Sequence, residues 1–231
     1  MKFFVKILVF AGFCFFMSLL EASSQSKVSW DSTYRPDVYN MLVEGFRTFP
    51  PRQKDIVFLG NNITFWGDWK ERLKNCHVKN QGIPGDITFG VIDRLKEAIS
   101  GKPSKIFILV GVNDIARHIP DSVIVRNYAR IINYLQVNSP STIIFFQTLL
   151  PTNPSFHSLP DYYHKEKDIL EINAALKKIA LSTKIKLIDL YPHFVDSSGN
   201  LKKDFTWDGV HLTQKGYTEW VQILKTGHYL I

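Results

Sequence analysis

Four short segments hold residue types that can do chemistry: Gly60-Asn61-Asn62, Asn80-Gln81-Gly82-Ile83-Pro84-Gly85, Gly111-Val112-Asn113-Asp114 and Asp208-Gly209-Val210-His211. An imidazole three residues after a carboxylate is a base with a partner able to hold its tautomer. Fixed amide and backbone N–H groups stabilise an oxygen that gains negative charge. The first segment follows Asp55–Leu59, a short apolar run of β-branched and aromatic residues that breaks at Gly60. That is the pattern of a buried strand entering a tight turn. Turns at the C-terminal ends of central parallel strands are where α/β proteins place ligands and nucleophiles. The residue expected at the nucleophile's place is therefore an asparagine.

Positioning these segments requires strands that alternate with helices, and the pattern supplies them. Strands are predicted at Asp55–Leu59, His77–Asn80, Lys105–Val110, Thr142–Gln147 and Ile185–Leu190. Lys105–Val110 is apolar on both faces, as a central parallel strand must be. Apolar periodicity predicts helices over Ser32–Thr48, with Pro36 in its first turn, over Asp68–Lys74, Ile87–Ser100, Pro120–Asn138, Tyr163–Leu181 and Gln214–Leu224. Asp86 is placed to cap the helix that follows it. Thr148–Tyr162 holds three prolines and reads as a long loop near the site. Alternation of this kind makes a parallel sheet with helices on both faces.

Each candidate also has a structural alternative. Asn62 can cap a helical turn, and Asn62-Ile63-Thr64 matches a glycosylation acceptor that a buried turn would disfavour. Gly82 can be a turn glycine, Asn113 and Asp114 a helix-start cap, and Asp208 and His211 a tie for the last helix. No single segment decides between these readings. Four of them, in this order at the turns of an alternating chain, do.

The chain has 231 residues and a formal charge of +7. Residues 1–24 read as a secretory signal peptide: Lys2 and Lys6 begin it, Ile7–Leu20 is apolar, and Ala22-Ser23-Ser24 offers a cleavage site. Phe13 before Cys14 argues against lipidation. Residues 25–231 then form one domain, exported to the periplasm or the medium, with no further membrane span. Cys76 is left alone, so no intramolecular disulfide forms, and it reads as a buried inert thiol. No Cys/His cluster has zinc spacing. The basic residues, such as Lys165, Lys167, Lys177 and Lys178, are spread over solvated faces without a nucleic-acid motif. Their excess slightly favours acidic substrates.

The set of four segments resembles the SGNH hydrolases, also called GDSL esterases, from about Tyr34 to Tyr229. Phe145-Phe146-Gln147-Thr148-Leu149-Leu150-Pro151-Thr152-Asn153 and the run Asp208–Trp220 are similar to the exported bacterial acetylhydrolase-like and sialate O-acetylesterase-like branch. The resemblance implies a three-layer α/β/α sandwich around a five-stranded parallel sheet in flavodoxin-like order. It implies hydrolysis of small acyl esters, acetyl above all and on carbohydrates, without metal or organic cofactor. Position by position, Asn62 aligns with the family's serine. Gly82 aligns with the glycine whose N–H enters an oxyanion hole, and Asn113 with the asparagine that donates to the same oxygen. His211 aligns with the general base and Asp208 with its orienting partner. Phe65 and Trp66 stand where smaller or acidic residues are common, narrowing the pocket for substrate.

The family motif is Gly-Asp-Ser or Gly-Asn-Ser, and here it is Gly60-Asn61-Asn62. An amide has no hydroxyl to deprotonate. Thr64 is close in sequence but should point away from His211 after the turn. Whether the chain is an enzyme is thus left open by its own sequence. One expectation is an impaired ester hydrolase. The other is a catalytically inactive pseudoenzyme that binds a glycan, an acyl ligand or a partner protein.

Overall fold

The computed structural model describes residues 29–183 and 185–230. The expected leader, with Cys14, lies outside the described residues. In chain order the elements are α1 (Tyr39–Thr48), β1 (Ile56–Gly60), α2 (Asn62–Phe65), α3 (Trp69–Leu73), β2 (Val78–Gly82), α4 (Thr88–Asp93), α5 (Leu95–Ile99) and β3 (Lys105–Leu109). They continue with α6 (Val112–Ala116), α7 (Asp121–Asn138), β4 (Ile143–Gln147), α8 (Glu166–Ser182), β5 (Lys186–Ile188), α9 (Tyr191–Phe194) and α10 (Gln214–Thr226).

All five strands are parallel, in the order β2-β1-β3-β4-β5. This is the expected α/β architecture. The chain steps from β1 outward to β2 and then back across to β3, so the strand order reverses between β1 and β3. A crevice opens at that reversal, beyond the carboxyl ends of the strands.

Side chains alternate across the sheet, as the period of two requires. Val57, Leu59, Ile106 and Ile108 face one side and pack with Val91, Leu95, Ile124, Ile131 and Leu176 of α4, α5, α7 and α8. Ile56, Phe58, Phe107 and Phe145 face the other, with Trp69 of α3, Phe194 of α9 and Trp220 and Leu224 of α10. Phe58, Phe107 and Phe145 share one register row. Their rings stack at 4.9 and 4.6 Å, and Trp69 closes the column on Phe58 at 4.3 Å. The column clamps the strands whose ends carry the chemistry.

Four expectations need correction. The first helix starts at Tyr39 rather than Ser32, because the chain before Pro36 is held off helical geometry and crosses toward Gly85 and Arg117. The single helix over Ile87–Ser100 is two, parted at Arg94. There the buried guanidinium is engaged by Asp86 Oδ2 and by the carbonyls of Gln81 and Gly60 at 2.8–2.9 Å. The helix cap is not Asp86: the Thr88 N–H donates to Asp114 at 3.0 Å, and Asp86 binds the N–H of Ile87. Cys76 is exposed rather than buried, since it sits in the turn between α3 and β2. The loop after β4 holds two short 3-10 turns, Pro154–Phe156 and Pro160–Tyr162.

Candidate active site

The turn after β1 is shaped by Asn61, whose side-chain oxygen accepts the Ile63 N–H at 3.1 Å and so caps α2. That leaves the Asn62 side chain free to face the crevice. Tyr217 of α10 ties the turn down by donating to the Ile63 carbonyl at 2.7 Å. Thr64 Oγ1 lies against Gly60, away from the crevice.

β3 ends opposite, and Gly111 turns the chain into α6 at φ +135°. Asn113 of α6 donates from Nδ2 to the Asp86 carbonyl at 2.8 Å and to Asn62 Oδ1 at 2.9 Å. Its Oδ1 accepts the Tyr162 hydroxyl at 3.0 Å. The fourth segment is a tight loop. Asp208 Oδ1 accepts the N–H groups of Val210 and His211, at 3.0 and 2.7 Å. Asp208 Oδ2 lies 2.5 Å from His211 Nδ1, and His211 Nε2 lies 2.5 Å from Asn62 Nδ2. Gly209 takes φ +88°, and a Cβ there would stand 2.3 Å from the Asn153 carbonyl oxygen.

These contacts form one chain of donors with a fixed direction. The Asp86 carbonyl can only accept, so the amide nitrogen of Asn113 must face it. Asn113 therefore donates to Asn62, Asn62 to His211 Nε2, and His211 Nδ1–H to the Asp208 carboxylate. The imidazole is set as the tautomer with its proton on Nδ1. Burial pushes the Asp208 carboxyl up, but the His211 ring and the backbone N–H groups of His211 and Val210 outweigh it and hold the group below its ordinary value. Asn62, Asn113 and Asp208 are buried, Asn62 at 5% and Asn113 at 1% exposure, and His211 is the member of the chain that reaches solvent, its side chain 19% exposed.

The two remaining expectations come out differently. Gly82 is at the site, with no room for a side chain: a Cβ would lie 2.3 Å from Phe65 N and 2.9 Å from the Asn61 carbonyl oxygen. Its N–H, however, donates to Asn80 Oδ1 at 2.9 Å. Phe65 and Trp66 pack edge-to-face on each other, with Trp66 exposed. The ring on the His211 imidazole's face is a different tryptophan. Trp207 stacks on His211 at 5.3 Å and 16°, and is 63% exposed. Trp207 and Tyr162 were missed in the sequence. Trp207 lies immediately before Asp208, and an exposed aromatic beside a candidate base was the available signal. Nothing local marks Tyr162, which a long loop delivers. Among the described residues, no group of three or more His, Cys, Asp or Glu could hold a metal ion.

The model of the GDSL-like lipase/acylhydrolase family matches residues 56–218, a span from β1 into α10 that includes all four segments. The chain belongs to this family. The rat platelet-activating factor acetylhydrolase IB subunit alpha2 is 28% identical over 186 residues, 78% of this chain and 77% of that protein. The solved structure of a "putative platelet activating factor" of Streptococcus pneumonia superposes with a TM-score of 0.77 at 26% identity, covering 84% of this chain and 92% of that one. A GDSL-like lipase of Bacteroides thetaiotaomicron shares the fold, with a TM-score of 0.70 at 22% identity over 82% of this chain and 96% of that one.

Proposed function

We propose that this protein is an exported acyl-ester hydrolase scaffold with Asn62 at the nucleophile's position, so that it holds a small acyl ester but turns it over feebly. The observation that carries this reading is the Asn62 amide, bonded at once to His211 Nε2 and Asn113 Nδ2. Those are the two groups an ester hydrolase needs, a base and an oxyanion donor. The Asn62 carbonyl sits on the donor much as a substrate carbonyl would. The amide N–H occupies the base without being able to yield its proton.

In this reading His211 is the base, Asp208 orients it, and Asn113 is the oxyanion donor. Gly82 joins it once Asn80 releases the N–H. Acetyl is the favoured acyl group, supported by the acetylhydrolase among the relatives, and the alcohol is a carbohydrate. Phe65 and Trp66 border the approach to the turn. The basic, apolar, small-residue start of the chain supports export. The lock on His211 favours a second reading, a pseudoenzyme that binds a glycan or other acyl ligand without turnover.

The experiment is hydrolysis of p-nitrophenyl acetate by the wild type beside Asn62→Ser and Asn62→Ser/His211→Ala. The nucleophile is worth roughly 10⁶ in turnover in a serine hydrolase. We expect Asn62→Ser to gain at least about 10²-fold and the double variant to lose that gain. A wild type already as active as Asn62→Ser, or a single variant that stays silent, would overturn the reading.

A further inference from the structure

Arg117 stands one helical turn beyond Asn113, its N–H bonded to the Asn113 carbonyl at 3.1 Å. Residues four apart share a helix face, so the side chains of both leave α6 on the same side. The guanidinium carbon lies over Tyr34, 3.2 Å from the ring centroid. Arg117 is exposed, and among the described residues no carboxylate pairs with it. Asp31, the acid whose charge it feels, is occupied by the N–H and hydroxyl of Thr33.

Two links tie this cation to the acyl site. The Tyr34 hydroxyl stands 3.4 Å from where a Gly85 Cβ would be, on the segment just before Asp86. Tyr162, which bonds Asn113, has its hydroxyl pushed up by burial and pulled back by the Arg117 charge. Arg117 and Tyr34 therefore stand beside Asn113 and the segment before Asp86, with Tyr162 on Asn113. A guanidinium stacked on a ring keeps its N–H edge free and presents a planar fork matched to a carboxylate or phosphate. Tyr34 holds the fork before anything binds, which reduces the ordering cost of recognition.

We propose that Arg117 determines specificity at this site by receiving an oxyanion, carboxylate or phosphate, carried on the alcohol part of the acyl ester. The ligand class is then an acylated acid rather than an acylated neutral sugar. This rests on the reading of the Asn62–His211–Asn113 group as an acyl-ester site.

The test is calorimetric titration of the wild-type protein, Arg117→Met and Arg117→Lys with three probes at low salt. The probes are mono-O-acetylated glucuronate, mono-O-acetylated glucose and O-acetylated glycerol phosphate, and thermal melts verify that each variant is folded. We expect at least one anionic probe to bind about tenfold more tightly than acetylated glucose. Arg117→Met should bring that ratio close to one without changing affinity for the neutral ester, and Arg117→Lys should keep part of it. The tighter of the two anions identifies carboxylate or phosphate as the source. Equal binding of all three probes, a ratio that survives Arg117→Met, or no heat with any probe overturns the proposal. Hydrolysis of neutral p-nitrophenyl acetate by Asn62→Ser reports on the acyl site alone. Turnover there without a charge preference overturns only the role of Arg117. A charge preference without turnover overturns the acyl-ester reading and leaves an anion site.

Discussion

An amide can donate to an imidazole but cannot surrender its proton to it, and on the proposed reading this difference from a serine hydroxyl governs the chemistry at Asn62. The donor chain from Asn113 to Asp208 keeps the His211 proton on Nδ1, so on the proposed reading a single substitution separates the scaffold from activity. Trp207 adds an apolar face to the same imidazole. Aromatic contacts of this kind are worth about 0.5–1.5 kcal/mol, which is about 2- to 12-fold in rate. In the Asn62→Ser background, Trp207→Ala should lower kcat/KM for p-nitrophenyl acetate within that range and lower the melting temperature by no more than about 6 °C. A Trp207→Phe control should recover most of the loss.

At the level of the elements, the site depends on close backbone approach. β2 meets the turn carrying Asn62 only because Gly82 has no side chain, and the atoms a Cβ would strike are backbone atoms that cannot rotate away. Gly82→Ala should cost about 1–3 kcal/mol through overpacking, read by chemical denaturation. It should also abolish the turnover regained by Asn62→Ser. The start of α4 depends on Asp114, whose carboxylate takes the Thr88 N–H, while Asn127 braces the Thr88 hydroxyl. Complete burial pushes the Asp114 carboxyl up to about 7, against the Thr88 donors that pull it down. The folded chain thus holds this proton more tightly than the unfolded chain, where aspartate titrates near 3.9. Its contribution to stability is complete below about pH 4 and is lost as pH rises through about 7. Melting curves should therefore show the wild type falling relative to Asp114→Asn across that window, with the gap constant above it. Parallel curves would mean that Asp114 titrates normally.

For the whole molecule, the decisive feature is the sheet order. Stepping from β1 out to β2 and back to β3 opens the crevice where Asn62 and Asn113 meet, and the last loop brings His211 to it from some 150 residues away. No helix among the described residues is long and apolar enough to cross a membrane. The export reading predicts a mature product beginning near residue 25, measured by N-terminal sequencing of the chain secreted by an expressing cell. An uncleaved chain held in the membrane fraction would contradict it. The overall charge of +7, or +6 once Lys2, Lys6 and Glu21 leave with the leader, favours the approach of acidic ligands at this scale, in keeping with the proposed role of Arg117.

The sequence by itself determined the layers, the strand positions to within two residues, and the four segments that converge. These rest on local patterns, namely apolar runs, alternation and glycine breaks, which need no distant partner to be read. The family resemblance was legible for the same reason, as short strings in a fixed order. What only the tertiary structure decided depends on contacts between remote residues. The helix break at Arg94 follows from three acceptors on other elements, and Asp114 caps a helix 26 positions back in the chain. Gly82 has its N–H taken by Asn80, and the ring on His211 is Trp207 rather than Trp66. Above all, periodicity carries no information on which way a side-chain amide faces. That Asn62 bridges His211 and Asn113 follows from packing at the sheet's reversal point, where a backbone carbonyl at one end and a carboxylate at the other leave the bonds between them a single direction.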